Sequence, residues 1–162
     1  MNIYVLDTSA LLVLYIPVGS VTCVHVLDEV RSVSVRDIVA GLVDGGVIEI
    51  REPGEDSVER VVNISRELGE VDRLSKADIH VLALALELHG EGYDVKVCTD
   101  DYSIQNILSH VGIEYEVVRR GISRVIRWGY RCRVCGKMYE SIPENAICPL
   151  CGGNVVRVPL IK

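Results

Sequence analysis

The sequence predicts an α/β fold on a parallel sheet, followed by a small appendage organised by cysteines. Three observations carry this prediction. Over residues 1–118, short valine-rich runs alternate with helix-length segments, as expected for strands covered on both faces and joined by helical crossovers. The chain has 162 residues, 49% hydrophobic but only 5% aromatic and without Phe, so a sizeable core exists and must be aliphatic. Four of the six cysteines fall at 132, 135, 148 and 151, outside the alternating region.

Along the chain, NIYVL (2–6) reads as a buried parallel strand, and VIEI (47–50), VKVC (95–98) and EYEVV (114–118) as further strands. Helices are expected over about 8–14, 24–32, 34–43, 56–69, 76–89 and 102–110, with Gly45-Gly46, Gly69, Gly90, Gly92 and Gly112 at their ends. The charged stretch 51–74 reads as a surface helix with a solvated face rather than a lid. The opening segment is apolar but carries Asp7 and no basic head, so it reads as a buried strand and helix, not a signal peptide. No apolar run reaches the roughly 18 residues of a membrane span, and a cytoplasmic protein is expected. The division expected is 1–118 for the α/β domain, 119–129 for a basic linker and 130–162 for the cysteine-containing unit.

That unit contains Cys-x2-Cys, twelve intervening residues, then a second Cys-x2-Cys, each pair followed by Gly. Two-residue spacing lets both thiolates of a pair reach one ion, and the glycine permits the tight turn. Four sulfurs complete a tetrahedral shell with no position for water, so Cys132, Cys135, Cys148 and Cys151 predict one structural zinc ion in a zinc ribbon. About thirty residues build little core, and metal binding supplies the folding energy. Two disulfides are the alternative, disfavoured by the absence of a secretory leader. Cys23 and Cys98 lie in apolar strings and read as core thiols.

A second set of candidates is acidic. Asp7 ends the first strand in LDTSA; Asp28 and Glu29 lie in VLDEVRS; Asp78 opens a helix in LSKADIHVL; Asp100 and Asp101 follow a strand in VKVCTDDYSIQN. Ligands of open parallel sheets bind beyond the carboxyl ends of strands, where Asp7 and the Asp100-Asp101 pair stand. Each residue also has a local explanation. Asp7 and Asp100 are candidate helix N-caps, Ser75 and Asp78 match a capping box, and Asp28 and Glu29 suit a solvated helix face. Together, carboxylates clustered at strand ends repel one another unless divalent cations bind there.

Charge divides along the chain. Residues 1–118 hold 8 Lys/Arg and 21 Asp/Glu, whereas 119–162 hold 9 and 2. The basic end suits phosphates; the acidic body does not without metal ions. Arg119, Arg120, Arg124, Arg127, Arg131, Arg133 and Lys137, with Arg157 and the aromatics Tyr130 and Tyr139 among them, suit single-stranded RNA through phosphate contacts and stacking.

LDTSA, an early Glu, S-x-A-D at a helix start and T-D-D after a strand together resemble the PIN-domain nucleases. With the four-cysteine ribbon and TDDYSIQN, the chain resembles over essentially its whole length the archaeal Nin-one-binding endonucleases, ribosome-maturation factors. The resemblance implies a PIN-like α/β/α sandwich with a central parallel sheet, and a Mg2+- or Mn2+-dependent single-strand endoribonuclease. The implied substrate is the 3′ end of precursor small-subunit ribosomal RNA, alone or in a pre-ribosome. It implies a catalytic metal pocket of Asp7, Glu29, Asp78 and the Asp100-Asp101 pair, with Asp101 favoured within the pair as the third residue of T-x-D. It implies that Thr8 or Ser9 orients Asp7 or bonds to a water on the metal. Two other expectations compete: a non-catalytic RNA- or ribosome-binding adaptor in which the ribbon alone acts, and a toxin-like PIN ribonuclease, whose chains usually lack the ribbon.

Overall fold

The structure is a computed structural model, which describes residues 1–119 and 127–160; Arg120 and Arg124 lie outside the described residues. Its first part alternates β1 (Asn2–Leu6), α1 (Thr8–Leu12), β2 (Ser20–Thr22), α2 (Val24–Glu29), α3 (Val33–Asp44), β3 (Ile48–Ile50), α4 (Glu55–Glu67), α5 (Lys76–Gly90), β4 (Asp94–Cys98), α6 (Tyr102–Val111) and β5 (Glu114–Glu116). The five strands are parallel, in the order β3-β2-β1-β4-β5. Val5 and Leu6 point to opposite faces of β1 and are both fully buried, so helices cover the sheet on both sides.

Strand order reverses between β1 and β4. These two strands pair directly, with Ile3 opposite Val95, Val5 opposite Val97 and Leu6 opposite Cys98. Their carboxyl ends therefore open side by side at the switch point where such sheets bind ligands. Behind them, α5 contributes Val81, Leu82, Ala83, Leu84, Ala85 and Leu88 to the core. Cys23 and Cys98 are buried in that core, and burial pushes both thiols up, to about 11 and about 12.

Strand β2 is the element that periodicity does not reveal. Its three residues, Ser20, Val21 and Thr22, are all buried. The polar two are satisfied locally: Ser20 Oγ donates to the Pro17 carbonyl and Thr22 Oγ1 to that of Leu6, as burial of a hydroxyl demands. The expected helix 24–32 ends at Glu29, because Val30 adopts extended backbone angles and Ser32 caps α3 by accepting from Val35 N–H. The charged stretch around residue 60 forms α4, which buries Val61 and Ser65 and exposes its charged face.

The second unit is a three-stranded antiparallel sheet of β6 (Trp128–Cys132), β7 (Met138–Tyr139) and β8 (Val155–Pro159), in the order β7-β6-β8. Strand pairing begins at Trp128, within the stretch that composition assigns to the linker. This unit packs on the α4–α5 connection. Trp128 N–H donates to the Leu68 carbonyl, and Gly69 (φ 68°) leaves no room for a Cβ against the Trp128 carbonyl. Glu70, 1% exposed, accepts from Arg157 (2.7 Å) and Asn106 Nδ2 (2.8 Å). A buried charge needs such partners.

The same seam corrects part of the expected RNA surface. Arg157 lies 4.0 Å over the Trp128 ring and is held by Glu70 and the Gly69 carbonyl. Tyr130 is 4% exposed and donates its hydroxyl to Asp72. Neither side chain is free for RNA: each was expected to face a ligand and instead holds the two units together.

Candidate active site

Asp7 closes β1 and occupies the N-cap position of α1, yet its carboxylate makes no capping bond. It turns toward β4, where Asp7 Oδ2 accepts from Thr99 Oγ1 at 2.7 Å and from Ser9 Oγ at 3.2 Å. Asp7 is 4% exposed. Burial raises its pKa against the lowering effect of the Thr99 bond, and nearby Asp101 raises it further. The local explanation of Asp7 as a helix cap does not hold here.

The other carboxylates combine local bonds with proximity to Asp7. Asp78 forms the capping box with Ser75, accepting from Ser75 N–H at Oδ2 while Ser75 Oγ accepts from Asp78 N–H. Its pKa still rises to about 6, first through burial and then through the charges of Asp7 and Asp101. Asp101, rather than Asp100, caps α6, its Oδ1 accepting from the Ser103 and Ile104 N–H groups. Asp100 turns instead to the Arg119 N–H. Glu29, exposed at the end of α2, accepts from Thr8 Oγ1 at 2.9 Å, next to Asp7. Asp28 is exposed and makes no contact of this kind. Strands and helix starts thus bring Asp7, Asp78 and Asp101 into electrostatic reach, with Glu29 tied in through Thr8.

Thr8 and Ser9 divide the supporting work: Ser9 holds Asp7 and also accepts from Asp100 N–H, whereas Thr8 holds Glu29. Thr99 was not singled out in the sequence, although it belongs to the quoted T-D-D. Strand register carries the missing signal: pairing Leu6 with Cys98 sets Asp7 beside Thr99.

Asp7, Asp78 and Asp101 feel one another's charge, but no three of these carboxylates bring ligand oxygens within 4.8 Å of one another. Hard carboxylate oxygens at this spacing suit a divalent cation that draws them together on binding. The raised pKa of Asp78 gives a testable consequence. Its unfolded value is near 3.8, so between about pH 4 and 6 the folded chain binds the extra proton and the unfolded chain does not. Without added divalent cation, stability should fall as pH rises through that window. The ceiling is about 3 kcal/mol, lowered by partial exposure of the group. Urea unfolding at pH 4.5 and 7.5 should show a steeper decline for the native chain than for Asp78→Asn; equal slopes would remove Asp78 from the coupled set.

The ribbon holds a different donor set. Its four sulfurs lie within 4.8 Å of one another, with Cys132–Cys151 at 3.5 Å and Cys135–Cys148 at 3.6 Å. A tetrahedron of sulfurs about 2.3 Å from an ion has edges of about 3.8 Å. Tyr139 hydroxyl, 3.0 Å from Cys148 Sγ, holds that thiol down, while at Cys151 the lowering bond from Gly153 is outweighed by the neighbouring Cys132 sulfur and burial, which push the thiol up. Sulfurs this close all ionise only when a cation offsets their charge. The cluster is consistent with the predicted zinc ribbon. Arg127, Arg131, Arg133 and Lys137 project from this unit into solvent, and Arg119 is exposed at its approach.

A family profile described as "PIN domain of ribonuclease" matches residues 4–88, just over half of the chain, spanning Asp7, Glu29 and Asp78. The chain is 37% identical to Endoribonuclease Nob1 of Pyrococcus abyssi, over 85% of this chain and 83% of that protein. It is 36% identical to Endoribonuclease Nob1 of Methanothermobacter thermautotrophicus, over 94% and 91%. It is also 31% identical to Ribonuclease VapC1 of Thermoplasma acidophilum, over 96% and 77%. That last match extends through the stretch that holds Cys132 to Cys151.

Proposed function

Because the chain belongs to the PIN-domain ribonucleases, in the group that includes the Nob1 endoribonucleases, we propose that its acidic pocket uses Mg2+ or Mn2+ to cut single-stranded RNA, with the 3′ end of precursor small-subunit ribosomal RNA as substrate. The observation that carries the pocket assignment is Asp7. It is a buried carboxylate at the sheet's switch point that declines its capping role and is held by Thr99 and Ser9 beside two further carboxylates.

Side-chain hydrogen bonds fall on one oxygen each of Asp7, Glu29, Asp78 and Asp101. The opposite oxygens are the ligands we assign to the cation. When bound, the cation supplies an acidified water and offsets charge at the scissile phosphate. The chain's own groups prepare that chemistry. Thr99 and Ser9 fix the orientation of Asp7 and favour its ionised form, Thr8 fixes the orientation of Glu29, and the start of α6 fixes Asp101. Hydrolysis by attack of water then leaves a 5′-phosphate and a 3′-hydroxyl.

The acidic body repels phosphates, so placement of RNA falls to the basic end, by Arg119, Arg127, Arg131, Arg133 and Lys137. Arg120 and Arg124 belong to the same basic stretch. A cleft between α4 and the ribbon, lined by Arg66, Arg127, Trp128 and Tyr139, offers cations and ring faces together. Zn2+ in the four-cysteine site keeps this basic unit folded and takes no part in the chemistry. Among the described residues no helix is long and apolar enough to cross a membrane, and we assign the protein to the cytoplasm, where ribosome assembly would take place.

Incubating the full chain with precursor small-subunit ribosomal RNA and mapping both ends tests this reading. Cleavage at the mature 3′ end, with Mg2+ or Mn2+ required, is expected. Salt-sensitive RNA binding with no cleavage across several metals would establish the adaptor instead.

A further inference from the structure

We propose that His25, Glu52 and His80 form a second metal site that uses neither the thiolates nor the pocket carboxylates, suited to Zn2+ with three protein ligands and a solvent-facing fourth position. Its donors come from three separate places: the start of α2, the connection after β3, and the first turns of α5. Among the described residues, this trio and the four cysteines are the two ligand sets whose donor atoms lie within 4.8 Å of one another.

Glu52 is fixed for the role. Its Oε1 accepts from the Val24 N–H at 2.6 Å, which directs Oε2 toward both imidazoles. His80 Nδ1 lies 3.5 Å from that oxygen and His25 Nδ1 3.9 Å. Both Nδ1 atoms are buried and have no hydrogen-bond partner. Buried polar nitrogens normally find one, and these two face the same carboxylate oxygen from beyond the roughly 3.2 Å limit of an N–H···O bond. The separations suit a shared ion better than a shared proton: donors about 2.1 Å from a tetrahedral ion stand about 3.4 Å apart.

The rings lie 4.0 Å apart between centroids, close enough for both imidazoles to reach one ion. Two neutral imidazoles and a carboxylate form a donor set that favours Zn2+ among common divalent ions and leaves an open coordination position. Glu52 and His25 are partly exposed, with side-chain accessibilities of 43% and 29%, which gives an ion a route in. Bound there, an ion ties α2 to α5, the helices that carry Glu29 and Asp78. It would clamp the pocket's frame without entering the pocket.

The test uses the full chain with the ribbon loaded, titrated with Zn2+. The imidazole nitrogen resonances of His25 and His80 should shift together, while those of His89 and His110 stay in place as internal controls. Equilibrium dialysis should then show Glu52→Gln and His80→Gln each binding one equivalent fewer than the unaltered chain. Asp7→Asn, by contrast, should keep that equivalent. The proposal is overturned if His25 and His80 do not respond, if all four histidines respond alike, or if Glu52→Gln retains the full number of equivalents. The resonance experiment needs no variant, so a folding defect in His80→Gln would not shield the idea. Loss of this equivalent with RNA cleavage intact separates the site from the pocket assignment, which stands or falls on cleavage alone.

Discussion

Asp7→Asn should lower Mn2+-supported cleavage of single-stranded RNA by at least about 100-fold while leaving the fold as stable as before, or more so. The catalytic side follows from charge. A metal in such a pocket supplies several kcal/mol of transition-state stabilisation, and each 1.36 kcal/mol is about tenfold in rate. Replacing one proposed ligand oxygen by an amide would weaken the hold on the cation without changing the side chain's shape. The stability side follows from burial. Asp7 is 4% exposed, and desolvation is the largest influence on its pKa. An amide has no charge to desolvate, and its oxygen can still accept from Thr99 and Ser9. Cleavage assays and thermal unfolding on the same preparation separate the outcomes. Unchanged cleavage would remove Asp7 from the chemistry, and a large fall in melting temperature would make it a structural carboxylate.

Much of this site was legible in the sequence because strand ends and helix starts are local signals. LDTSA and TDDYSIQN mark two strand ends, and S-x-A-D marks a capping box, which Ser75 and Asp78 do form. Which carboxylate caps and which faces the pocket was not local. Asp7 occupies a cap position and does not cap, because Thr99, just past the end of the neighbouring strand, draws it away; Asp101 caps and its charge still acts on Asp7 and Asp78. Only strand register decides such cases. Two residues of the basic end depart from expectation in a related way, while Arg119, Arg127, Arg131, Arg133 and Lys137 are exposed as expected. Composition counted Arg157 and Tyr130 as ligand-facing, but Glu70 and Asp72, more than fifty residues earlier in the chain, turn them inward. Strand β2 escaped notice because its burial depends on two hydroxyls finding carbonyls, not on an apolar pattern. The histidine trio is scattered for the same reason: three distant segments meet only once the sheet has formed.

Removing the Zn2+ proposed for the ribbon should unfold residues 128–160 and leave the sheet domain standing but weakened. The ribbon's buried cluster is Tyr130, Cys132, Cys148 and Val155, with Tyr139 packed against it. Two of the four buried residues are cysteines of the proposed zinc site, so little apolar burial remains to hold three short strands. Structural zinc contributes apparent binding energies of about 10–16 kcal/mol in small metal-held units, far more than two apolar side chains at about 2 kcal/mol each. Cys148→Ser should act like chelation, since it removes the proposed ligand thiol that Tyr139 contacts. The damage should then travel across the seam. When the ribbon comes away, Glu70 loses Arg157 and keeps Asn106, and water replaces the lost partner. Arg157→Met should be harsher on the sheet domain, because the ribbon stays folded over a Glu70 that has lost its counter-charge; breaking a buried pair on one side costs about 3–5 kcal/mol. Amide resonances of Tyr130 and Val155 should collapse to unfolded positions in Cys148→Ser but not in Arg157→Met, whereas urea unfolding of the sheet domain should rank the two in the opposite order. Retained dispersion of the ribbon amides without metal would show that the strands hold themselves together, and would remove the reason for four sulfurs at one point.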